Sequence, residues 1–337
     1  MHLTLHRFDL PLEHPFTISR GTTTVQPTLI VELAKDGQSG YGEATTNDFY
    51  GITWDSMAQI LEGARTQIES TPHENPADFW GKLDPLLSGN RFAQCAVDLA
   101  AHDLWGKLCG QPVWRLWGLD TSTNPDSNYT IGIDSLDVMV AKLNQRPDWP
   151  IYKIKLGTPA DVAIVTELRK HTDAIFRVDA NCAWTVDETI ENSHRLKDLG
   201  VEFIEQPLPA DHYDDAAEVF ARSALPLAAD ESCQVESDVD RCAGRFHIIN
   251  IKLVKCGGMT PARRMIDRAR ELGMKTMVGC MTESSVGISA IGQLLPLLDY
   301  VDMDGAELLA NDIAGGVKVT RGKAVYPDEN GNGVTLR

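Results

Sequence analysis

The sequence predicts an α/β chain: a (β/α)8-type barrel with an N-terminal α+β capping domain. Three observations carry this. From about residue 127, short apolar runs alternate with helical runs until eight strands have been laid down. Polar residues close these runs, and Lys155, Asp179, Glu205, Asp230 and Lys252 follow one another at steps of 24, 26, 25 and 22 residues, one strand-plus-helix unit each. The chain before about residue 120 has a different texture, strands first and helices after.

The elements follow in order. MHLTLHRFDLPL alternates at period two, PTLIVELA is β-branched and apolar, and SGYGEA completes an antiparallel sheet. Residues 54–70, 76–87 and 92–109 read as helices, the last ending at a glycine, which stops a helix. The barrel strands are SNYTIGI, IYKIKLG, IFRVDAN, VEFIEQP, LPLAADE, HIINIKL, KTMVGCM and LDYVDMD. Helical segments between them include 160–171, 187–199, 213–223, 261–272 and 284–295. The glycine-rich tail GVKVTRGKAVYPDENGNGVTLR reads as strand and turn returning to the first domain. The expected division is 1–120 for the capping domain, 121–312 for the barrel and 313–337 for the tail.

Composition narrows the function. The 337 residues carry a net charge of −17 with a pI of about 4.9, which argues against nucleic acid as a partner. Seven scattered cysteines without a CxxC spacing fit free thiols in a reducing compartment, the cytoplasm. The N-terminus does not read as a signal peptide, and no run approaches the about 18 apolar residues of a membrane span. The sequon at Asn128 falls in a predicted strand and reads as chance.

In such a barrel the C-terminal ends of the strands face the active site. Counting from the strand near 127, Lys153 and Lys155 end strand 2. Asp179, Glu205 and Asp230 end strands 3, 4 and 5, Lys252 ends strand 6, and Asp302 and Asp304 end strand 8. Three carboxylates on adjacent strands need a positive charge between them: either Lys or Arg partners, or a hard cation with oxygen ligands such as Mg²⁺. Strands 2 and 6 lie opposite one another, so Lys155 and Lys252 face each other across the mouth. A carbon between them can lose a proton to one lysine and regain it from the other, which inverts a stereocentre. A metal nearby would hold the substrate carboxylate and stabilise the enediolate as it forms. Bringing a lysine pKa from ~10.4 to near 7 takes roughly 4–5 kcal/mol. Lys153 shares a strand face with Lys155 at ~6.8 Å, and at an effective dielectric of about 20 their repulsion supplies roughly 2–2.5 kcal/mol of it. Asp302 and Asp304 share a face of strand 8; they read either as a solvated acidic turn or as the grip for a substrate cation.

KIKLG (153–157), RVDANCAW (177–184), EQPL (205–208), ADES (229–232), NIKLVKCGG (250–258) and AVDLAAHDLWGKLCGQP (96–112) together resemble the muconate-lactonizing branch of the enolase superfamily along essentially the whole chain. The resemblance implies Mg²⁺ on Asp179, Glu205 and Asp230, acid/base catalysis by Lys155 and Lys252, and outer-shell roles for Asn181, Gln206 and Glu231. The mandelate-racemase branch uses a strand-7 histidine; here the last histidine, His247, precedes the end of strand 6. DMD at 302–304 is similar to the DxD of dipeptide epimerases, which holds the substrate ammonium. Arg20, in a loop at 16–24, matches an arginine that contacts the glutamate side chain in Ala-Glu epimerases, while Tyr50 and Ile52 of a loop at 46–54 suit an apolar side chain equally.

The expectation is therefore a Mg²⁺-dependent isomerase that inverts the C-terminal residue of an L,L-dipeptide, with L-Ala-L-Glu first, Lys153 assisting and Asp302/Asp304 on the ammonium. The rival on the same scaffold is an o-succinylbenzoate synthase or muconate cycloisomerase reaction, whose substrates carry no ammonium and leave Asp302/Asp304 idle. A barrel that only binds a ligand is the rival from another class. Family members are often oligomeric, and the sequence has no feature that bears on it.

Overall fold

A computed structural model describes residues 1–337. Its N-terminal sheet is a three-stranded antiparallel meander of β1 (His2–Ile18), β2 (Gly21–Lys35) and β3 (Gln38–Thr45). Helices α1 (Trp54–Ser70), α2 (Pro76–Leu87) and α3 (Arg91–Cys109) follow. Their ends are written in the sequence. Thr53 and Ser56 form a capping box on α1, Asn75 and Asn90 cap α2 and α3, and Gly110 closes α3 in the left-handed conformation. Helix α3 is buried nearly all round because it lies between the sheet and the rest of the molecule. A Cβ at Gly42 would sit 2.0 Å from the Ala96 carbonyl, so only glycine lets β3 approach α3 this closely.

After a short α4 (Val113–Leu116) come eight parallel strands, β4 (Tyr129–Ile131), β5 (Ile151–Lys155), β6 (Ile175–Asp179), β7 (Val201–Glu205), β8 (Leu227–Ala229), β9 (Ile248–Ile251), β10 (Lys275–Gly279) and β11 (Tyr300–Asp302). They pair in chain order, and a bridge from Ser127 to Val301 joins the first strand to the last and closes the barrel. The helices between them are α5 (Leu136–Gln145), α6 (Asp161–Arg169), α7 (Val186–Asp198), α8 (Tyr213–Arg222), α9 (Glu236–Cys242), α10 (Leu253–Cys256), α11 (Met259–Glu271) and α12 (Ser285–Leu294). The short α5, α9 and α10 are those the sequence reading did not single out. Inside the barrel, Phe203, Ile248 and Met277 are buried, and Arg177, held by Glu202 at 2.7 Å, lies over the Phe203 and Tyr300 rings. No helix is long and apolar enough to cross a membrane.

Two buried carboxylates join the first domain to the barrel. Asp98 on α3 accepts from the Thr260 amide at 2.9 Å and from the Thr260 hydroxyl at 2.7 Å, capping the first turn of α11. Glu43 on β3 accepts from the Ser284 and Gly287 amides at the start of α12, at 3.1 and 3.0 Å. Glu283 accepts from the Met281 amide at 3.0 Å and crowds the same turn: a Cβ at Gly287 would lie 2.0 Å from its Oε2. Burial, reinforced by the nearby Glu43, pushes the Glu283 carboxyl up to about 8. The tail reaches α3 as well, with Lys107 donating to the Val334 carbonyl and the Asn332 amide to Asp103.

Two outcomes follow from these junctions. Asp98→Ala leaves two buried donors without an acceptor and lowers unfolding stability by roughly 2–4 kcal/mol in urea melts. The raised Glu283 carboxyl keeps its proton when folded and loses it near the ordinary value of 4.5 when unfolded. Its share of stability is thus complete at acid pH and drains away as pH climbs toward about 8. Thermal midpoints measured across that window fall more steeply for the native protein than for Glu283→Gln.

Candidate active site

Strand register builds the site. Lys155 pairs with Asp179 across β5 and β6, and Asp179 with Glu205 across β6 and β7. Glu205 pairs with Ala228 of β8, and Asp230 lies two residues on, on the same face. One oxygen from each of Asp179, Glu205 and Asp230 lies within 4.8 Å of the others, and all three residues are buried.

Buried lysines supply the compensating charge. Lys153 Nζ lies 3.1 Å from Asp179, 2.8 Å from Glu205 and 2.8 Å from Asp302. Lys155 Nζ is 2.7 Å from Asp179, and Lys252 Nζ is 2.8 Å from Asp230. Lys153 therefore differs from its expected part as a bare neighbour repelling Lys155. Burial opposes its charge, but Asp302, Glu205 and Asp179 together hold its pKa well above the ordinary value. The same balance lowers the acids that face lysines. Burial raises Asp179, but Lys155 and Lys153 outweigh it and hold it at about 2. Lys252 and Lys255 likewise overcome burial at Asp230 and keep it well below the carboxylate range. Glu205 goes the other way: burial and the adjacent Asp179 push it up to about 7. The cluster is short of positive charge at Glu205, and its donors are all carboxylate oxygens, so the residues fit a hard divalent cation.

Lys155, Lys252, Asp302, Asp304, Arg20, Asn181 and Glu231 line one cavity of about 160 Å³. Asp302 accepts from Asn128 and from Lys153, each at 2.8 Å, and Asp304 accepts from the Thr130 amide at 2.5 Å and its hydroxyl at 3.2 Å. Burial and the Asp302 charge push the Asp304 carboxyl well above its ordinary value. This removes the reading of Asp302 and Asp304 as a solvated turn, since both are buried.

The outer residues also fall into place. Gln206 Oε1 accepts from the Asp230 and Ser232 amides, each at 3.0 Å, fixing the turn that carries Asp230. The Asn181 amide donates to Asp179 at 2.9 Å. Arg20 is not a free cation: it donates to Glu231 at 2.7 Å and to the Asn181 carbonyl at 3.1 Å, and lies over the Phe49 ring. Tyr50 lines the cavity; Ile52 is not among the lining residues.

Asn250, Lys255 and Asn128 were missed by sequence reasoning. Asn250 donates to Glu205 at 2.9 Å; it stands two residues before Lys252 in NIKL, a spacing that could have revealed it. Lys255 spends all three donors, on the Asp230 carboxylate, the Asp230 carbonyl and the Cys233 carbonyl. Asn128 is fully buried and orients Asp302. No local signal marks its partner, 174 residues away.

Comparison with known proteins agrees with this architecture. Residues 2–118 match the N-terminal domain model of the mandelate racemase/muconate lactonizing enzymes, and 138–337 match the enolase C-terminal domain-like model. The chain is 57% identical over 336 residues to the L-Ala-D/L-amino acid epimerase of Flavobacterium johnsoniae, covering 100% of both. It is 40% identical to the L-Ala-D/L-Glu epimerase of Bacteroides thetaiotaomicron, covering 99% of this chain and 88% of that one. Among solved structures it resembles the dipeptide epimerase of Enterococcus faecalis complexed with Mg and L-Leu-L-Tyr. There the TM-score is 0.94 and the identity 28%, with 99% of each chain covered. The family models span both parts of the chain and the full-length relative is more than half identical, so this protein is an enolase-superfamily enzyme belonging to the mandelate racemase/muconate lactonizing enzyme family.

Proposed function

We propose that the protein epimerises an L,L-dipeptide at the α-carbon of its C-terminal residue. One observation carries this: Lys155 and Lys252 open into the same cavity as the Asp302/Asp304 pair, beside the three-carboxylate cluster. Asp179, Glu205 and Asp230 would hold Mg²⁺, the ion present with dipeptide in the Enterococcus relative. When bound, it would supply positive charge for the substrate's terminal carboxylate and for the negative charge that develops there.

The chain's own residues do the rest. Asp302 and Asp304 take the N-terminal ammonium in charge-assisted hydrogen bonds. That anchor at one end and the carboxylate at the other set the α-carbon between the two lysines. The lysine that is neutral removes the α-proton on one face, and the opposite lysine, charged, returns a proton on the other. Lys153 stays charged among its carboxylates and keeps the site from carrying an unbalanced negative charge. Elimination or cycloisomerisation substrates would leave Asp302 and Asp304 without a substrate ammonium to hold. Cysteines that are all free favour the cytoplasm as the place of action.

L-Ala-L-Glu is the substrate Arg20 suggests from the sequence alone. The Glu231 partner weakens that suggestion, and the Flavobacterium relative carries the wider amino-acid name. The proposal is tested by deuterium uptake in D2O with Mg²⁺ and an L-Ala-L-Xaa library. Label enters one C-terminal α-carbon, EDTA stops it, and Lys155→Ala and Lys252→Ala each slow inversion by at least about 10³-fold. Folded protein that labels no dipeptide would refute the epimerase reading.

A further inference from the structure

We propose that Phe16, together with Leu308, determines which residue is accepted at the N-terminal position of the dipeptide, limiting it to an alanine-sized side chain. The proposal rests on the epimerase reading and deepens it.

The path of β1 puts Phe16 at the cavity. The β1–β2 register breaks between Pro11 and Phe16, and a bulge of this kind bends a strand and re-aims its side chains. Around the break, β1 is stitched to the barrel on two sides. The Ala310 amide donates to the Pro11 carbonyl at 2.9 Å, and the Ile133 amide to the Thr17 carbonyl at 2.8 Å. Phe16 is thereby held between the segment that follows β11 and the one that follows β4. Gly132 leaves space for its ring: a Cβ there would lie 3.2 Å from the ring and 3.0 Å from the Thr17 carbonyl. Phe16 joins none of the hydrophobic core clusters. Its ring is a wall between cavities and not part of a core.

What this wall separates decides its role. On one side is the cavity lined by Lys155, Lys252, Asp302 and Asp304. On the other is a second cavity of about 20 Å³, with room for about one water molecule. Phe16, Thr130 and Leu308 line both. Thr130 is tied to Asp304 through its amide and hydroxyl. With the ammonium on Asp302 and Asp304, the side chain of the first residue starts one carbon from that nitrogen, beside this wall. On another side the aspartates adjoin Cys280. There the chain is fixed, because the Met281 amide donates to Glu283 at 3.0 Å and Asn47 donates to the Met281 sulfur at 3.9 Å. An alanine methyl stops short of the wall, whereas a leucine side chain meets the Phe16 ring and Leu308. The charges behind the wall pair with each other, Glu13 with Arg146 at 2.8 Å and Lys142 with Asp134 at 3.1 Å. Opening the wall therefore admits a larger apolar side chain.

The test compares L-Ala-L-Xaa with L-Leu-L-Xaa in the presence of Mg²⁺, Xaa being the C-terminal residue that labels fastest in the dipeptide library. In the native protein kcat/KM is expected to favour L-Ala by at least about 100-fold. Phe16→Ala is expected to lower that ratio by at least about tenfold, and Leu308→Ala, on the other side of the same neck, to shift it in the same direction. Circular dichroism checks the fold, and Phe16→Val gives the same reading where Phe16→Ala does not fold. Any loss of rate common to both substrates cancels in the ratio. The order of preference among C-terminal residues in L-Ala-L-Xaa is expected to stay as in the native protein, whereas a general loosening of the cavity would move it too. Equal native rates on the two substrates, a ratio unmoved by the Phe16 variant, or a ratio that moves only together with the C-terminal preference would overturn the inference while leaving epimerisation intact. Absence of label from every dipeptide would instead overturn the reading beneath it.

Discussion

Charge compensation at the barrel mouth is the constraint around which this structure is arranged. Asp179, Glu205, Asp230 and Asp302 are all buried, and each carboxylate left alone there would cost several kcal/mol. Lys153, Lys155, Lys252 and Lys255 converge on them. The balance is uneven. Asp179 and Asp230 are held low by two lysines each, while Glu205 is pushed up by burial and by its neighbour. Three carboxylate oxygens within 4.8 Å of one another are what fits a divalent cation there.

The remainder of the fold serves this arrangement. Parallel register sets Lys155, Asp179 and Glu205 side by side, so the order of charges along the rim is fixed by hydrogen bonds between backbones. The N-terminal domain closes the mouth from above. Its β1–β2 tip sends Arg20 to Glu231 and to the Asn181 carbonyl, and its third strand and third helix are pinned to the barrel by Glu43 and Asp98. A cavity assembled this way takes its walls from two parts of the chain and its charges mostly from one. Strand ends of the barrel and the tip of the N-terminal sheet therefore meet at one cavity.

Much of this was legible beforehand because a repeated unit leaves a repeated spacing. Each strand end lies one βα step from the next, so Lys155, Asp179, Glu205, Asp230 and Lys252 could be placed on one rim by counting. Period-two alternation did the same for Lys153 with Lys155 and for Asp302 with Asp304. Asn250 could have been found by that rule, since it stands on the face of Lys252. Asn128 could not, because its partner Asp302 is distant in sequence and adjacent only once the barrel closes.

The sequence by itself therefore determined the barrel, the order of its strands and the residues at the rim, since local periodicity and caps encode these within a few tens of residues. Tertiary structure alone decided which charges pair. Lys153 became a compensated cation among three carboxylates, and Arg20 became the partner of Glu231, 211 residues away. The physical reason is that a side chain's electrostatic state depends on what is desolvated beside it, and those neighbours come from separate elements meeting across a closed barrel.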